Sequence, residues 1–153
     1  VRQSVPLAAI VADACDLYAD LAEEKRIALE VRVPPLVVDV DEARVRQVLA
    51  NLIDNAVKYT PAGGRVWVEA RAEGPAVVVE VGDTGIGIDE TELPRVWERL
   101  YRGDASRSAR GLGLGLSLVK AIVAAHGGRV AVRSRPGQGS VFAVTLPAAM
   151  PPS

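Results

Sequence analysis

Residues 51–60 read NLIDNAVKYT, and this stretch decides the fold. On a helical wheel, its apolar side chains fall on one side, while Asn51, Asn55 and Lys58 fall on another. Asparagine is a poor helix former, so this polar stripe needs a reason. It is either an ordinary solvated face or one wall of a ligand site. In the second case the amide oxygens suit a hard cation such as Mg²⁺, and the lysine suits a phosphate.

The flanking sequence predicts how this helix sits in a domain. Asp41 can cap it and Pro61 ends it at about Tyr59. An amphipathic helix is predicted over 6–24, with Ser4 as its cap and Pro6 in its first turn. Further helices are predicted over 90–98 and 113–125, and short strands over 27–33, 36–40, 65–72, 76–81, 129–134 and 140–146. We therefore expect an α/β two-layer sandwich, in which about three helices cover one face of a mixed, mostly antiparallel sheet of about five strands.

The composition narrows the class of protein. The chain has 153 residues, 49% of them hydrophobic and 24% charged, with a formal net charge of −1. That balance gives no support to nucleic-acid binding through bulk electrostatics. Cys15 is the single cysteine, which fits a reduced thiol packed in a helix. The sequence contains neither an apolar run of about 20 residues nor an opening signal peptide.

Three glycine clusters follow the asparagine helix. Asp83 begins DTGIGI at a strand end, where its carboxylate can accept a hydrogen bond from an exocyclic amine, although an ordinary turn has the same pattern. GLGLGL at 111–116 precedes a helix, whose N-terminal amides would bind an anion unless the run is a flexible hinge. It matches neither a P-loop nor a dinucleotide-binding fingerprint, because their spacings differ. PGQGS at 136–140 is a tight turn before the last strand.

Taken in order, these motifs resemble a known family. NLIDNAVKYT, DTGIGI, ERLYR, GLGLGLSLV and PGQGS look like the N, G1, F, G2 and G3 boxes of the catalytic ATP-binding domain of sensor histidine kinases. The resemblance covers nearly the whole chain and implies the Bergerat fold shared with gyrase, Hsp90 and MutL. Trp97 and Leu100 stand where the F box usually carries phenylalanines. Both are apolar, so we expect the packing there to survive.

The resemblance also implies roles for individual residues. Asn51, Asn55 and Lys58 would be catalytic, the two asparagines by holding Mg²⁺ and the lysine by meeting the phosphates of ATP. Asp83 would bind the adenine amine. The other implied nucleotide-binding residues are Tyr59, Gly85, Gly87, Ile88, Arg102, Gly111, Leu112, Gly113, Leu114 and Gly115, with 101–112 forming a mobile lid over ATP. Arg107 and Arg110 of that lid would touch phosphate or a partner, or simply be solvated.

The side-chain amide of Asn51 indicates whether the site would hydrolyse ATP. In ATPases of this fold the position of Asn51 is a glutamate that activates water, whereas an amide takes no proton at neutral pH. We therefore expect slow hydrolysis and a site that holds ATP for transfer to another nucleophile. The resemblance implies that this nucleophile is a histidine on a separate dimerisation domain, to which the γ-phosphate is transferred. The only histidine here, His126, lies at a helix end without the acidic neighbour of an acceptor, so we expect it to be structural. The alternatives are an anti-sigma-type serine kinase and a degenerate nucleotide-binding regulatory module.

The resemblance also predicts the setting of the domain. We expect residues 1–5 to end a linker, 6–147 to form the catalytic domain and 148–153 to be a disordered tail. The chain would be a monomeric cytoplasmic part of a membrane-anchored receptor. Its partners would be ATP or ADP, the dimerisation and histidine phosphotransfer domain of the same protein and, indirectly, a response regulator. It should bind Mg-ATP without phosphorylating itself.

Overall fold

A computed structural model of the chain describes residues 1–98 and 112–149. Its helices are α1 (Leu7–Asp16), α2 (Ala19–Glu24), α3 (Glu42–Tyr59) and α4 (Leu112–Ala125), with a 3₁₀ turn at Leu93–Arg95. Its strands are β1 (Gln3–Pro6), β2 (Ala28–Arg32), β3 (Val37–Val40), β4 (Arg65–Glu73), β5 (Ala76–Asp83), β6 (Arg129–Arg135) and β7 (Gly139–Pro147). Within the described part of the chain, no helix is both long and apolar enough to cross a membrane.

Five strands form the main sheet, in the order β2-β4-β5-β7-β6. Strand β2 is parallel to β4, and the other neighbours are antiparallel. The predicted α/β fold class is therefore confirmed. The hairpin of β4 and β5 follows from alternation, since Val66 and Val68 are buried in the core while Trp67 between them is only half-buried.

Helix α3 lies in the layer that covers one face of this sheet, packed against α1, α4 and β5. Its core face is completely buried and consists of Val45, Val48, Leu49, Leu52 and Ile53. Asp41 caps its N-terminus as predicted, because the carboxylate accepts a hydrogen bond from the amide of Arg44 at 3.3 Å. At the other end, Lys25 Nζ donates to the carbonyl of Val57 at 2.7 Å. Both ends of the helix that carries the asparagines are thus held in place.

The residues before β2 differ from the sequence prediction. The helix predicted over 6–24 breaks into α1 and α2 around Leu17 and Tyr18, and Ser4 is not its cap. Ser4 instead lies in β1, opposite Asp39 of β3, in a second, two-stranded sheet. Pro6 is the N-cap residue of α1 and makes no side-chain cap bond. The positions of Ser4 and Pro6 follow from the long-range pairing of β1 with β3, which the local sequence pattern does not predict.

Two further predictions concern the segments next to undescribed residues. The helix predicted over 90–98 is reduced to the 3₁₀ turn, after which Trp97 packs edge-on against Phe142, with ring centroids 5.6 Å apart. This is the apolar packing expected of Trp97, while Leu100 lies outside the described residues. At the C-terminus, Ala149 N donates to the carbonyl of Val37 at 2.9 Å. The predicted domain limits and the tail 148–153 stay predictions.

Candidate functional site

The polar face of α3 lines a cavity. Asn55 is only 7% exposed, and its Oδ1 is buried with no hydrogen-bond partner in the described part of the chain. Asn51 Nδ2 lies 3.4 Å from the carbonyl oxygen of Gly115, at the start of α4. The space between them is about 40 Å³ and is lined by Asn51, Asp54, Asn55, Lys58, Tyr59, Gly115 and Leu116. The stripe is therefore not an ordinary solvated face, because a buried oxygen without a partner is unfavourable unless something binds it.

Lys58 enters this cavity as half of an ion pair. Its Nζ lies 3.0 Å from Asp54 Oδ2, one helical turn away, and its side chain is half exposed. Such a partly solvated pair is weak, so an incoming phosphate can compete with the carboxylate for the ammonium. The sequence prediction did not include Asp54. The helical wheel could have found it, because a residue four positions before Lys58 lies on the same face.

Asp83 lies at the end of β5, as its position in the sequence predicts. Its side chain is buried, and Oδ1 accepts a hydrogen bond from the amide of Gly85 at 2.8 Å. The following loop contacts the end of α3, where Ile86 N donates to the carbonyl of Tyr59 at 3.1 Å. A Cβ on Gly85 would collide with that same carbonyl, so the approach requires glycine. Asp83 and the asparagine helix are thus held in one arrangement.

The other side of this loop contacts the turn between β6 and β7. Gly87 has φ +76° and passes so close to the carbonyl of Arg135 that a Cβ would overlap it. Gly137 N donates to the carbonyl of Ile86 at 2.7 Å, and Ile88 N donates to Ser134 Oγ at 2.8 Å. The side chain of Ile88 is buried in the core. Ser134 was not predicted, since its contact with Ile88 spans 46 residues.

The glycine-rich run supplies the start of α4. The helix begins at Leu112, so Gly113 and Gly115 lie in its first turn. Their role at an anion-binding helix end stays a prediction. Arg102 and Gly111 lie outside the described residues, together with the rest of the predicted lid before Leu112, including Arg107 and Arg110.

His126 occupies a structural position at the end of α4. It is buried, and its Nδ1 lies 2.8 Å from the carbonyl oxygen of Ile122. Its Nε2 accepts a hydrogen bond from the amide of Asp41 at 3.0 Å. The neutral tautomer with a proton on Nδ1 satisfies both contacts. This supports the expected structural role, because His126 connects the end of α4 to the capped start of α3.

The side-chain atoms that line the cavity indicate which metal ion it could hold. Among the described residues, no group of three or more His, Cys, Asp or Glu side chains is placed to hold a metal ion alone. The buried Oδ1 of Asn55 and the neighbouring amide of Asn51 offer neutral oxygen ligands instead. That set fits Mg²⁺, which retains several waters and takes its remaining ligands from phosphates.

Comparisons with known proteins agree with this geometry. Residues 40–150 match the family described as histidine kinase-, DNA gyrase B-, and HSP90-like ATPase. The adaptive-response sensory kinase SasA of Rippkaea orientalis is 41% identical over 138 residues, which are 88% of this chain and 35% of SasA. The phosphate regulon sensor protein PhoR of Pseudomonas aeruginosa is 41% identical over 89% of this chain and 30% of its own length. This chain therefore spans about a third of these curated relatives.

Solved structures give the same result. The mycobacterial sensor histidine kinase MprB superposes with a TM-score of 0.83 at 30% identity, covering 97% of this chain and 98% of that one. Full-length ShkA in complex with AMPPNP superposes with a TM-score of 0.87 at 33% identity, covering 99% of this chain and 32% of ShkA. The chain belongs to the family of histidine kinase-, DNA gyrase B- and HSP90-like ATPases, as the catalytic ATP-binding domain of a sensor histidine kinase.

Proposed function

We propose that this domain binds Mg-ATP between α3, the loop 83–88 and the start of α4, and that it donates the γ-phosphate to a histidine on a separate domain. The observation that carries the proposal is the buried, unpartnered Oδ1 of Asn55 in the cavity beside Asn51 and Lys58. An acceptor oxygen excluded from water destabilises the free domain. A ligand that supplies a cation at that point would remove this penalty.

Each proposed contact has a chemical reason. Asp83 is fixed by the amide of Gly85 and would accept a hydrogen bond from the adenine amine. Lys58 would leave Asp54 for a phosphate, and the first-turn amides of α4 would meet the same phosphates. Asn55 and Asn51 would hold Mg²⁺. The ion would neutralise phosphate charge, which phosphoryl transfer needs more than covalent help from the protein.

The same residues support transfer over hydrolysis. Asn51 has no basic electron pair at neutral pH, and its Nδ2 points at the carbonyl of Gly115. This side chain therefore cannot take a proton from water. ATP should therefore remain intact until another nucleophile reaches it.

The rest of the signalling system is part of the proposal. The acceptor histidine would lie on a dimerisation domain of the same full-length protein, since His126 is buried with both ring nitrogens in hydrogen bonds. A response regulator would take the phosphate from there. The full-length protein would be anchored in a membrane, with this domain in the cytoplasm. The isolated domain would be a monomer.

One experiment separates the proposal from its alternatives. The domain is mixed with Mg-[γ-³²P]ATP, with and without the dimerisation domain of its full-length protein. We expect an acid-labile, alkali-stable label on the dimerisation domain and none on this chain alone. Label stable to acid would indicate transfer to serine, and ATP binding without any transfer would indicate a regulatory module. Either result would contradict the proposal.

A further inference from the structure

The hydroxyl of Ser134 joins the β6–β7 hairpin to the loop that follows Asp83. Ser134 Oγ lies 2.8 Å from the amide of Ile88, 2.8 Å from the carbonyl of Gly139 and 2.7 Å from Ser140 Oγ. It is partly buried near the end of β6, with Ser140 directly opposite on β7. Three polar groups from two other backbone segments, the loop after Asp83 and β7, therefore converge on one oxygen.

The proton count fixes the direction of these bonds. A serine hydroxyl has one donor and two acceptor positions. The amide of Ile88 can only donate and the carbonyl of Gly139 can only accept. Ser134 therefore satisfies all three neighbours if it donates to Gly139 and accepts from both Ile88 and Ser140. Every hydrogen-bonding position of its hydroxyl is then used, so removal of the oxygen leaves the amide and the carbonyl without this partner.

The loop that Ser134 holds has attachments along both of its halves. Its first half contacts α3 through Gly85 and Ile86. Its second half is held by Gly137, by the close approach of Gly87 to Arg135, and by the bond from Ile88 to Ser134. The Ser134 contact is the last of these before the chain leaves for the 3₁₀ turn. It therefore ties the end of the loop at Ile88 to β6, and helps to fix where residues 85–88 sit relative to the buried carboxylate of Asp83.

We propose that Ser134 is a positioning residue for the base of the nucleotide, acting through Ile88 to hold the loop 84–88 against the pocket of Asp83. The inference rests on the proposed function, because it assumes that the base lies beside Asp83. It assigns no contact between Ser134 and the nucleotide. Loss of its hydroxyl should therefore weaken only the binding of the base. Affinity should fall by the same factor whichever phosphates the ligand carries.

The test compares three variants of the domain. Ser134→Ala removes the hydroxyl, and Ser134→Thr keeps it with a residue that strands favour. Thr145→Val is the matched control, since it removes a hydroxyl from the far end of the same hairpin, where Thr145 pairs with Arg129. Affinities for ATP, ADP and adenosine are measured by titration calorimetry at 15 °C, and amide exchange of Ile88 is followed by NMR without ligand.

For Ser134→Ala we expect affinity for all three ligands to fall by the same factor of about ten, since one partly buried hydrogen bond no longer orders the loop. Exchange of the Ile88 amide should become at least about tenfold faster. Ser134→Thr and Thr145→Val should stay within about twofold of wild type in both measurements.

Four results would overturn the inference: wild-type affinity in Ser134→Ala, a loss that grows with the number of phosphates, an equal loss in Ser134→Thr, and unchanged exchange of the Ile88 amide. The exchange measurement needs no nucleotide. If the wild-type domain fails to bind ATP, the proposed function fails, whereas the contact between Ser134 and Ile88 is still tested.

Discussion

Replacing Asn55 by leucine should make the free domain more stable while it abolishes the response to Mg-ATP. The two side chains have the same branched shape, but leucine has no oxygen to leave buried and unpartnered. Relief of an unsatisfied buried acceptor contributes about 1–3 kcal/mol. Leucine also favours a helix over asparagine by a few tenths of a kcal/mol. With a urea slope of about 2 kcal/mol per molar, the unfolding midpoint should rise by roughly 1 M.

Urea unfolding is measured with EDTA and again with Mg-ATP at a hundred times the wild-type Kd. The wild-type domain should gain about 2.7 kcal/mol from the ligand, and Asn55→Leu should gain almost nothing. Thr60→Val is the matched control. Its buried hydroxyl already donates to the carbonyl of Ala56 at 2.7 Å, so its removal should destabilise the domain by about 1 kcal/mol and leave the ligand response intact. An Asn55→Leu domain that is less stable and still responds to Mg-ATP would refute this reasoning.

Three further predictions concern buried and hydrogen-bonded groups that hold the helices together. His126→Ala should lower the free energy of unfolding by about 2–4 kcal/mol, because the amide of Asp41 loses its buried acceptor; thermal melts check this, and a loss under 1 kcal/mol would contradict it. Lys25→Ala should cost about 1 kcal/mol, because the last carbonyls of α3 lose a donor, and an unchanged urea midpoint would oppose that role. Burial, reinforced by the charge of Asp16, raises the pKa of the Cys15 thiol to about 11. The unfolded chain ionises first, so stability should fall as pH rises from about 9 to 11, and Cys15→Ala should remove that part of the fall.

Local pattern was sufficient for the elements whose causes are local. Alternation in β4 and β5 predicts their hairpin, and the apolar face and the Asp41 cap predict α3 nearly to the residue. Strand β1 was missed because QSVP carries no alternation, and its partner in β3 lies more than 30 residues away. The break between α1 and α2 was also missed, because the apolar spacing continues across Leu17 and Tyr18 without glycine or proline.

The residues of the site also divide into those that local spacing predicts and those that only long-range contacts bring in. Asn51, Asn55 and Lys58 share a helix face, so their spacing alone places them together, and the structure brings Gly115 against them. Ser134 reaches the site only because β6 pairs with β7 and the resulting turn contacts the loop after Asp83. No residue spacing in the sequence predicts the contact between Ser134 and this loop. The roles of the site residues in binding nucleotide and metal stay predictions.

The most direct test is to follow one equivalent of ATP on the isolated domain. Mg-[γ-³²P]ATP is bound to the domain, and bound ATP and free phosphate are measured over time. We predict about one intact ATP per chain, with phosphate release far slower than the ~1 s⁻¹ at the low end of ordinary enzyme turnover, because Asn51 cannot activate water. Rapid release of phosphate, or failure of the domain to retain Mg-ATP, would contradict a site that holds the γ-phosphate for a histidine.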